Sequence, residues 1–241
     1  AGIGDEISTF PDYPAEIRAP QGTLGGVSGF QVHIGKGVHT PGDLADVLVA
    51  MNPAALKTNA RYVKKGGVVI IDSDSFRASD LEKAAFTTDD PIQEAGLSHA
   101  QIVPVAITQM VKDSLADSGL DNKSIVRCKN MFALGLVCWL FDRPLEQAQH
   151  LLKNKFAKKP AIYEANAKVM RDGYNYGNNI HASVSTYRVE SAQVKPGIYT
   201  DVNGNTATAW GLIAASEKSG LPLFLGSYPI TPATDILHEL A

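Results

Sequence analysis

Short apolar runs separated by helical patterns occupy the first half of the chain, and this alternation most constrains its fold. Between the runs, a proline at position 53, a serine at 79 and a glycine at 119 are typical helix starts and stops. Strands that alternate with helices favour a largely parallel sheet covered by helices. We therefore predict an α/β domain with a three-layer, open, mostly parallel sheet, whose strands are GFQVHI (29–34), ADVLVA (45–50), VVIID (68–72) and QIVPVAI (101–107).

The pattern becomes helical from about residue 130, where three amphipathic or apolar segments follow one another. Prolines open two of them, at Pro144 and Pro160, and these segments predict a helical arm attached to the sheet domain. The polar, aperiodic stretch 178–196 is typical of a linker. We expect a first domain over 1–177 and the beginning of a second α/β domain over 197–241, with a strand at Pro222–Leu225 and a helix on either side of it.

Charge and cysteine usage exclude several classes of protein. A net charge of −3 without a basic arm argues against nucleic-acid binding. The longest apolar stretch, Met131–Phe141, is too short to span a bilayer, and no targeting segment is recognised. Cys128 and Cys138 lack the spacing of an iron–sulfur or zinc site, and the histidines include no i, i+4 pair that would predict a metal site. We expect a cytoplasmic protein with small-molecule or protein partners.

Three segments carry polar residues that could serve a function. The long loop from Phe10 to Phe30 combines prolines and glycines with polar side chains, which is typical either of a functional loop or of a packed surface loop. VVIIDSDSF places Asp72 and Asp74 at a strand end; a phosphatase role is one hypothesis, and capping of the following backbone is the better-supported one. Four lysines, at 153, 155, 158 and 159, form either a solvated helix end or a site for a phosphate-bearing cofactor or an acidic redox partner.

The segment GSYPITPATD, residues 226–235, is stiffened by two prolines. Proline disfavours the helical region for the residue before it, so Tyr228 and Thr231 are held extended while Pro229 and Pro232 have fixed φ angles. The Thr231 hydroxyl therefore has a defined direction just beyond a predicted strand, where open α/β sheets bind ligands. The alternative is a rigid connection that binds nothing.

The same segment resembles a known family. YPITP followed by a helix is similar to the start of the thiamine-diphosphate-binding pyrimidine domain of 2-oxoacid:ferredoxin oxidoreductases, and TFPDYPAEIRAPQGTLGGVSGFQVHIG resembles the γ domain of the fused γ/α subunit. The resemblance extends through GGVVIIDSD, KNMFALGLVCWLF, NKFAKKPAIYEAN and GNTATAWGLIAASEKSGLPLFLGSYPITP, essentially the whole chain. PAEIRAPQGT is most similar to the 2-oxoglutarate type. The family's glycine-rich first turn and its cofactor-activating glutamate are not present, so we expect a γ domain without its first βα unit, joined to the start of the α domain.

The resemblance implies an oxidative decarboxylation that uses thiamine diphosphate, shared with a β subunit that also holds its magnesium ion, and coenzyme A as co-substrate. It implies a second protomer and ferredoxin or a similar acceptor as partners, with iron–sulfur clusters in the partners and none in this chain. Thr231 would hydrogen-bond the substrate, while Tyr228, Pro229, Ile230 and Pro232 would shape the cofactor wall. A coenzyme A or subunit-interface role is implied for Arg18, Gln21, Gly22, Thr23 and Asn130.

Two alternatives remain open at this point. The chain could be a docking module of a multisubunit oxidoreductase that never lines a catalytic site, or a phosphatase that uses Asp72 and Asp74. Neither the substrate side chain nor the oligomeric state is fixed by the sequence.

Overall fold

The computed structural model describes residues 7–12, 27–34, 44–180, 184, 186–189, 195–200, 202–228, 230 and 233–241. These residues belong to two compact units: the first comprises the described residues up to 189, and the second those from 195 onward. The first unit contains all the described strands and eight of the described helices.

Two separate sheets form in the first unit. Its strands are β1 (Ile7–Asp12), β2 (Gly29–Ile34), β3 (Ala45–Ala50), β4 (Val63–Asp72) and β5 (Gln101–Val105). Strands β3, β4 and β5 lie side by side in that order and are parallel, with Ile70 of β4 opposite Val49 and Val103. This confirms the predicted parallel sheet.

The strand predicted at Gly29–Ile34 forms as β2, but it lies outside the parallel sheet. It pairs antiparallel with β1, so that Ile7 faces Ile34 and Asp12 faces Gly29. An alternating pattern predicts a strand but not its partner, which is why the sequence could not distinguish the two arrangements.

The described helices are α1 (Pro53–Asn59), α2 (Ala78–Lys83), α3 (Pro91–Glu94), α4 (Ile107–Ser114), α5 (Asn122–Arg127), α6 (Lys129–Leu140), α7 (Glu146–Lys155), α8 (Pro160–Ile180), α9 (Gly204–Ser219) and α10 (Thr234–Leu240). Local signals account for several of their ends. The Asn52 side chain accepts a hydrogen bond from the Ala55 amide at 2.8 Å ahead of Pro53, the first residue of α1. Gly220 ends α9 in the left-handed conformation with φ of 67°.

Strand β4 is buried on both faces, which explains why the run VVII does not alternate apolar with polar residues. Val68 and Ile70 are buried on one face of the sheet with residues of α4, α6 and α8, while Val69 and Ile71 are buried on the other face with Leu56 of α1 and with α2. A parallel sheet covered on both faces needs apolar side chains at consecutive positions. The sheet and its two helical layers therefore form the predicted three-layer arrangement.

The strand predicted at Pro222–Leu225 is wrong for the described structure. Residues 221–228 follow α9 without forming a strand, and Leu223 and Phe224 are exposed. A strand is stabilised by hydrogen bonds to a neighbour, and the described part of the second unit offers none. An apolar run alone was therefore not enough to predict a strand at this position.

Candidate functional site

Polar side chains gather at the carboxyl edge of the parallel sheet, where β4 ends at Asp72 and β5 ends at Val105. Helix α4 begins two residues after β5, and helix α6 contributes its first residue, Lys129, to the same place. The carboxyl edge is where open α/β sheets bind ligands, so its chemistry is the natural starting point.

Asp72 is the centre of this edge and is 0% exposed. Its Oδ2 accepts hydrogen bonds from the hydroxyls of Thr108 at 2.8 Å and Ser75 at 2.9 Å, and its Oδ1 accepts one from the Thr108 amide at 3.3 Å. Lys129 Nζ lies 3.5 Å from Oδ2. A buried carboxylate is tolerated only when it is paired and hydrogen-bonded, and Asp72 meets both conditions.

Asp74 has a similar partner close by, because its Oδ2 accepts a hydrogen bond from the Gln109 amide at 2.8 Å. Both aspartates therefore cap the first turn of α4. For Asp72, the expected capping of the backbone that follows β4 is not made to the turn at Ser73–Ser75, which receives no cap bond from its side chain. The capping is long-range, and the sequence shows only that a carboxylate stands at a strand end.

This geometry argues against the phosphatase hypothesis. A nucleophilic carboxylate must reach its substrate, whereas Asp72 is fully buried and both of its oxygens already accept hydrogen bonds. No group of three or more metal-ligating side chains occurs in the part of the chain that the structure describes. What Asp72 does is hold Lys129 and the start of α6 against the sheet.

Sequence reasoning singled out Asn130 here but missed Lys129, Thr108 and Gln109. Asn130 is exposed in the first turn of α6, directly after Lys129, whose side chain is 26% exposed. The missed residues could have been found from one signal: they directly follow a strand or begin a helix at the edge where parallel strands end. Arg18, Gln21, Gly22 and Thr23 lie outside the described residues.

The proline-rich segment belongs to the second unit, and its central residues Pro229, Thr231 and Pro232 lie outside the described residues. Tyr228 and Ile230 are described, and these residues are 80% and 55% exposed. The Thr234 amide donates a hydrogen bond to the Ile230 carbonyl at 3.0 Å, so the first helical turn of α10 begins at the end of this segment. Both side chains are therefore accessible to a ligand or another polypeptide.

The two cysteines have no disulfide partner. Burial raises the pKa of the Cys128 thiol. Burial also raises the pKa of the Cys138 thiol, and this effect outweighs the positive charge of Arg143, which lowers it. Both are poor nucleophiles at neutral pH, because the thiolate is the reactive form. None of the helices in the described ranges is both long and apolar enough to cross a bilayer.

The geometry of the sheet edge does not identify a protein family, so the chain was compared with known proteins. Residues 2–176 match the family model described as pyruvate ferredoxin/flavodoxin oxidoreductase. The chain is 47% identical, over 99% of its length, to the 2-oxoglutarate oxidoreductase subunit KorA of Mycobacterium tuberculosis, of which it covers 37%.

A solved structure is similar over the same extent. The 2-oxoglutarate:ferredoxin oxidoreductase from Magnetococcus marinus, with 2-oxoglutarate, coenzyme A and succinyl-CoA bound, matches with a TM-score of 0.70 and 25% identity over 99% of this chain and 36% of that one. The chain thus spans little more than a third of the length of either relative.

Proposed function

Because this chain belongs to the pyruvate ferredoxin/flavodoxin oxidoreductase family, we propose that it is part of an enzyme subunit that oxidises 2-oxoglutarate to succinyl-CoA. In this reaction 2-oxoglutarate and coenzyme A give succinyl-CoA, carbon dioxide and a proton, and two electrons reduce two molecules of ferredoxin. The observation that carries the proposal is the 47% identity, along 99% of the chain, to a 2-oxoglutarate oxidoreductase subunit. The reducing cytoplasm suits the two unpaired cysteines.

Thiamine diphosphate is the cofactor that this family implies, and when bound it supplies the carbon nucleophile that attacks the keto group. The described residues fit a cofactor that is held mainly by another polypeptide, because Tyr228 and Ile230 are exposed and nothing in the described part of their unit covers them. We assign the cofactor wall to Tyr228, Pro229, Ile230 and Pro232. The Thr231 hydroxyl would donate a hydrogen bond to the substrate. The nearby prolines, Pro229 and Pro232, would restrict the backbone and so fix the direction of this hydroxyl.

The first unit would act as a γ domain that contributes to subunit packing and to the coenzyme A site. Asn130 is exposed at the start of α6, and Lys129 beside it is tied to the buried Asp72 carboxylate. The ion pair ties the helix start from which Asn130 projects to Asp72, whose carboxylate is itself held by three hydrogen bonds at the sheet edge. We assign the same coenzyme A or subunit-interface role to Arg18, Gln21, Gly22 and Thr23, as the family resemblance implies.

Partner subunits complete the proposed enzyme. A β subunit would hold the magnesium ion and most of the cofactor, and iron–sulfur clusters would lie in the partners. A second protomer would complete the assembly. The competing proposal is a docking module without a catalytic contribution, in which the proline-rich segment acts only as a brace.

The test is to assemble the full-length subunit with its β subunit and measure carbon dioxide release and acceptor reduction. We expect both to require coenzyme A and to proceed with a higher kcat/KM on 2-oxoglutarate than on pyruvate. Faster oxidation of pyruvate would contradict the assigned substrate. Absence of oxidation with either acid, in a complex with full cofactor content, would contradict the assigned activity.

A further inference from the structure

The end of α7 and the turn into α8 carry a concentration of positive charge that the proposed chemistry does not use. Residues 147–163 contain no carboxylate, in a chain whose net charge is −3. Four lysines lie in this stretch, all of them exposed, and we name them the lysine patch: Lys153, Lys155, Lys158 and Lys159. In the part of the chain that the structure describes, none of the four lies within 4.0 Å of a carboxylate oxygen.

Helix electrostatics account for only part of the lysine patch. The C-terminus of α7 carries a partial charge of about −0.5, which Lys153 and Lys155 in its last turn more than offset. Lys158 and Lys159 directly precede the N-terminus of α8, a 21-residue helix with no acidic residue in its first turn. Positive charge is unfavourable at a helix N-terminus, so local stability does not explain these two lysines.

The shape of the lysine patch distinguishes a macromolecular partner from a small phosphate ligand. Lys153 and Lys155 are two positions apart, about 200° around the helix, so they lie on opposite sides of its end. A small ligand is bound in a concave site that encloses most of its surface. A cleft of about 410 Å³ lies at the other end of α7, where the helix begins, and includes none of the four lysines; its lining residues are Pro144, Leu145, Glu146, Gln149, Arg171, Tyr174 and Asn175. A broad acidic surface can reach lysines arranged around a helix end, whereas one phosphate group cannot.

The composition of the patch also distinguishes a transient partner from a permanent subunit. Permanent interfaces are large and apolar, and lysine is depleted at their centres. Here the last turns of α7 expose one leucine, Leu151, and Lys155 Nζ lies 5.8 Å from the centre of the Phe156 ring. Small, charged and weakly apolar surfaces are typical of electron-transfer encounters, where opposite charges speed association and a short lifetime allows turnover.

We propose that the lysine patch at the junction of α7 and α8 is a docking surface for the acidic face of the protein that carries electrons away from the enzyme. The inference rests on the proposed function, since it requires an enzyme that reduces a protein acceptor. The lysine patch is remote in sequence from the proline-rich segment. It would affect the rate at which the acceptor is reduced and would leave the chemistry of the substrate unchanged.

The experiment compares two acceptors in the assembled holoenzyme: ferredoxin, and a small viologen dye that needs no docking surface. The variant replaces all four patch lysines with glutamine. The matched control replaces four exposed lysines elsewhere, Lys65, Lys123, Lys195 and Lys218, and so makes the same change in net charge. Each protein is assayed at low and at high ionic strength.

At low salt we expect the patch variant to raise the KM for ferredoxin about tenfold and to flatten its salt dependence, because close charges steer association most strongly there. Viologen reduction and the control variant should remain at the wild-type level. An unchanged KM for ferredoxin, or a raised KM for coenzyme A in its place, would overturn the docking proposal alone. A wild-type holoenzyme that fails to reduce viologen with 2-oxoglutarate would instead overturn the proposed function, and the docking proposal with it.

Discussion

Lys129 Nζ lies 3.5 Å from the carboxylate of Asp72, and this contact joins the first residue of α6 to the last residue of the central strand β4. Asp72 is fully buried and also accepts hydrogen bonds from Thr108 and Ser75. One carboxylate therefore fixes the ends of β4, α4 and α6 relative to one another at the sheet edge.

Replacing Asp72 with alanine should lower the free energy of unfolding by about 2–4 kcal/mol, because it removes the acceptor of several partly buried donors and the partner of Lys129. Asp74→Ala is the matched control; it loses one amide bond and should cost about 1 kcal/mol. Urea unfolding can be followed by the fluorescence of Trp139, which is buried in the core beside α8, in a Trp210→Phe background. Equal effects of the two substitutions would contradict a special role for Asp72.

Helices α6 and α8 approach so closely that a Cβ added at Gly135 would lie 1.9 Å from the Met170 carbonyl oxygen. Gly135→Ala should therefore force the helices apart and destabilise the first unit by about 3 kcal/mol. Gly211, in the interior of α9, would meet nothing within 4 Å, so Gly211→Ala should stabilise its helix by about 0.5–1 kcal/mol. Thermal unfolding of both variants checks this, and tolerance of alanine at Gly135 would show that the helices pack less closely than described.

The lowered pKa of Glu94 predicts that the folded protein loses stability in acid. Desolvation raises its pKa, but hydrogen bonds from the Thr87 and Thr88 amides and from Lys57 outweigh that effect and lower the pKa from 4.5 to about 2. A lowered folded-state pKa contributes stability that is complete above about pH 4.5 and is lost as the pH falls toward 2.

The difference in unfolding free energy between the wild type and Glu94→Gln should therefore shrink over that window. A difference that stays constant from neutral pH to pH 3 would contradict the lowered pKa, and NMR titration of the Glu94 carboxyl would measure the pKa directly.

The 241-residue chain by itself should show no oxidation of 2-oxoglutarate, because most of the proposed cofactor site belongs to a partner. The measurement is viologen reduction in the presence of thiamine diphosphate, magnesium and coenzyme A, with the assembled holoenzyme as the positive control. Turnover by the isolated chain would show that the site is complete within it.

Patterns with a local cause were predictable from the sequence, and long-range pairings were not. The run VVIID predicted a strand, and the structure covers that strand on both faces, where a parallel sheet has apolar residues at consecutive positions. The backbone amides that donate to Asp72 and Asp74 belong to α4, more than 30 residues later, and no local signal identifies them. The run LPLFL has the composition of a strand, but composition does not supply a neighbouring strand.

The candidate site shows the same division. Tyr228, Ile230 and Asn130 were selected from the family resemblance; all three are exposed, and their roles stay predictions. Lys129 was missed because a lysine at a helix start has many ordinary explanations, and only the fold brings it to a buried carboxylate.

The most direct test of the account concerns Thr231, since the central claim is that this chain lines a catalytic site and does more than dock. The measurement is kcat/KM for 2-oxoglutarate in the assembled holoenzyme, with viologen as acceptor, for Thr231→Val, Thr231→Ser and the neighbouring control Thr234→Val. We expect a loss of about 100-fold for Thr231→Val, typical of a lost hydrogen bond to the reacting group, with activity retained by Thr231→Ser and by the control. Wild-type kinetics for Thr231→Val would contradict the catalytic assignment and favour a structural brace.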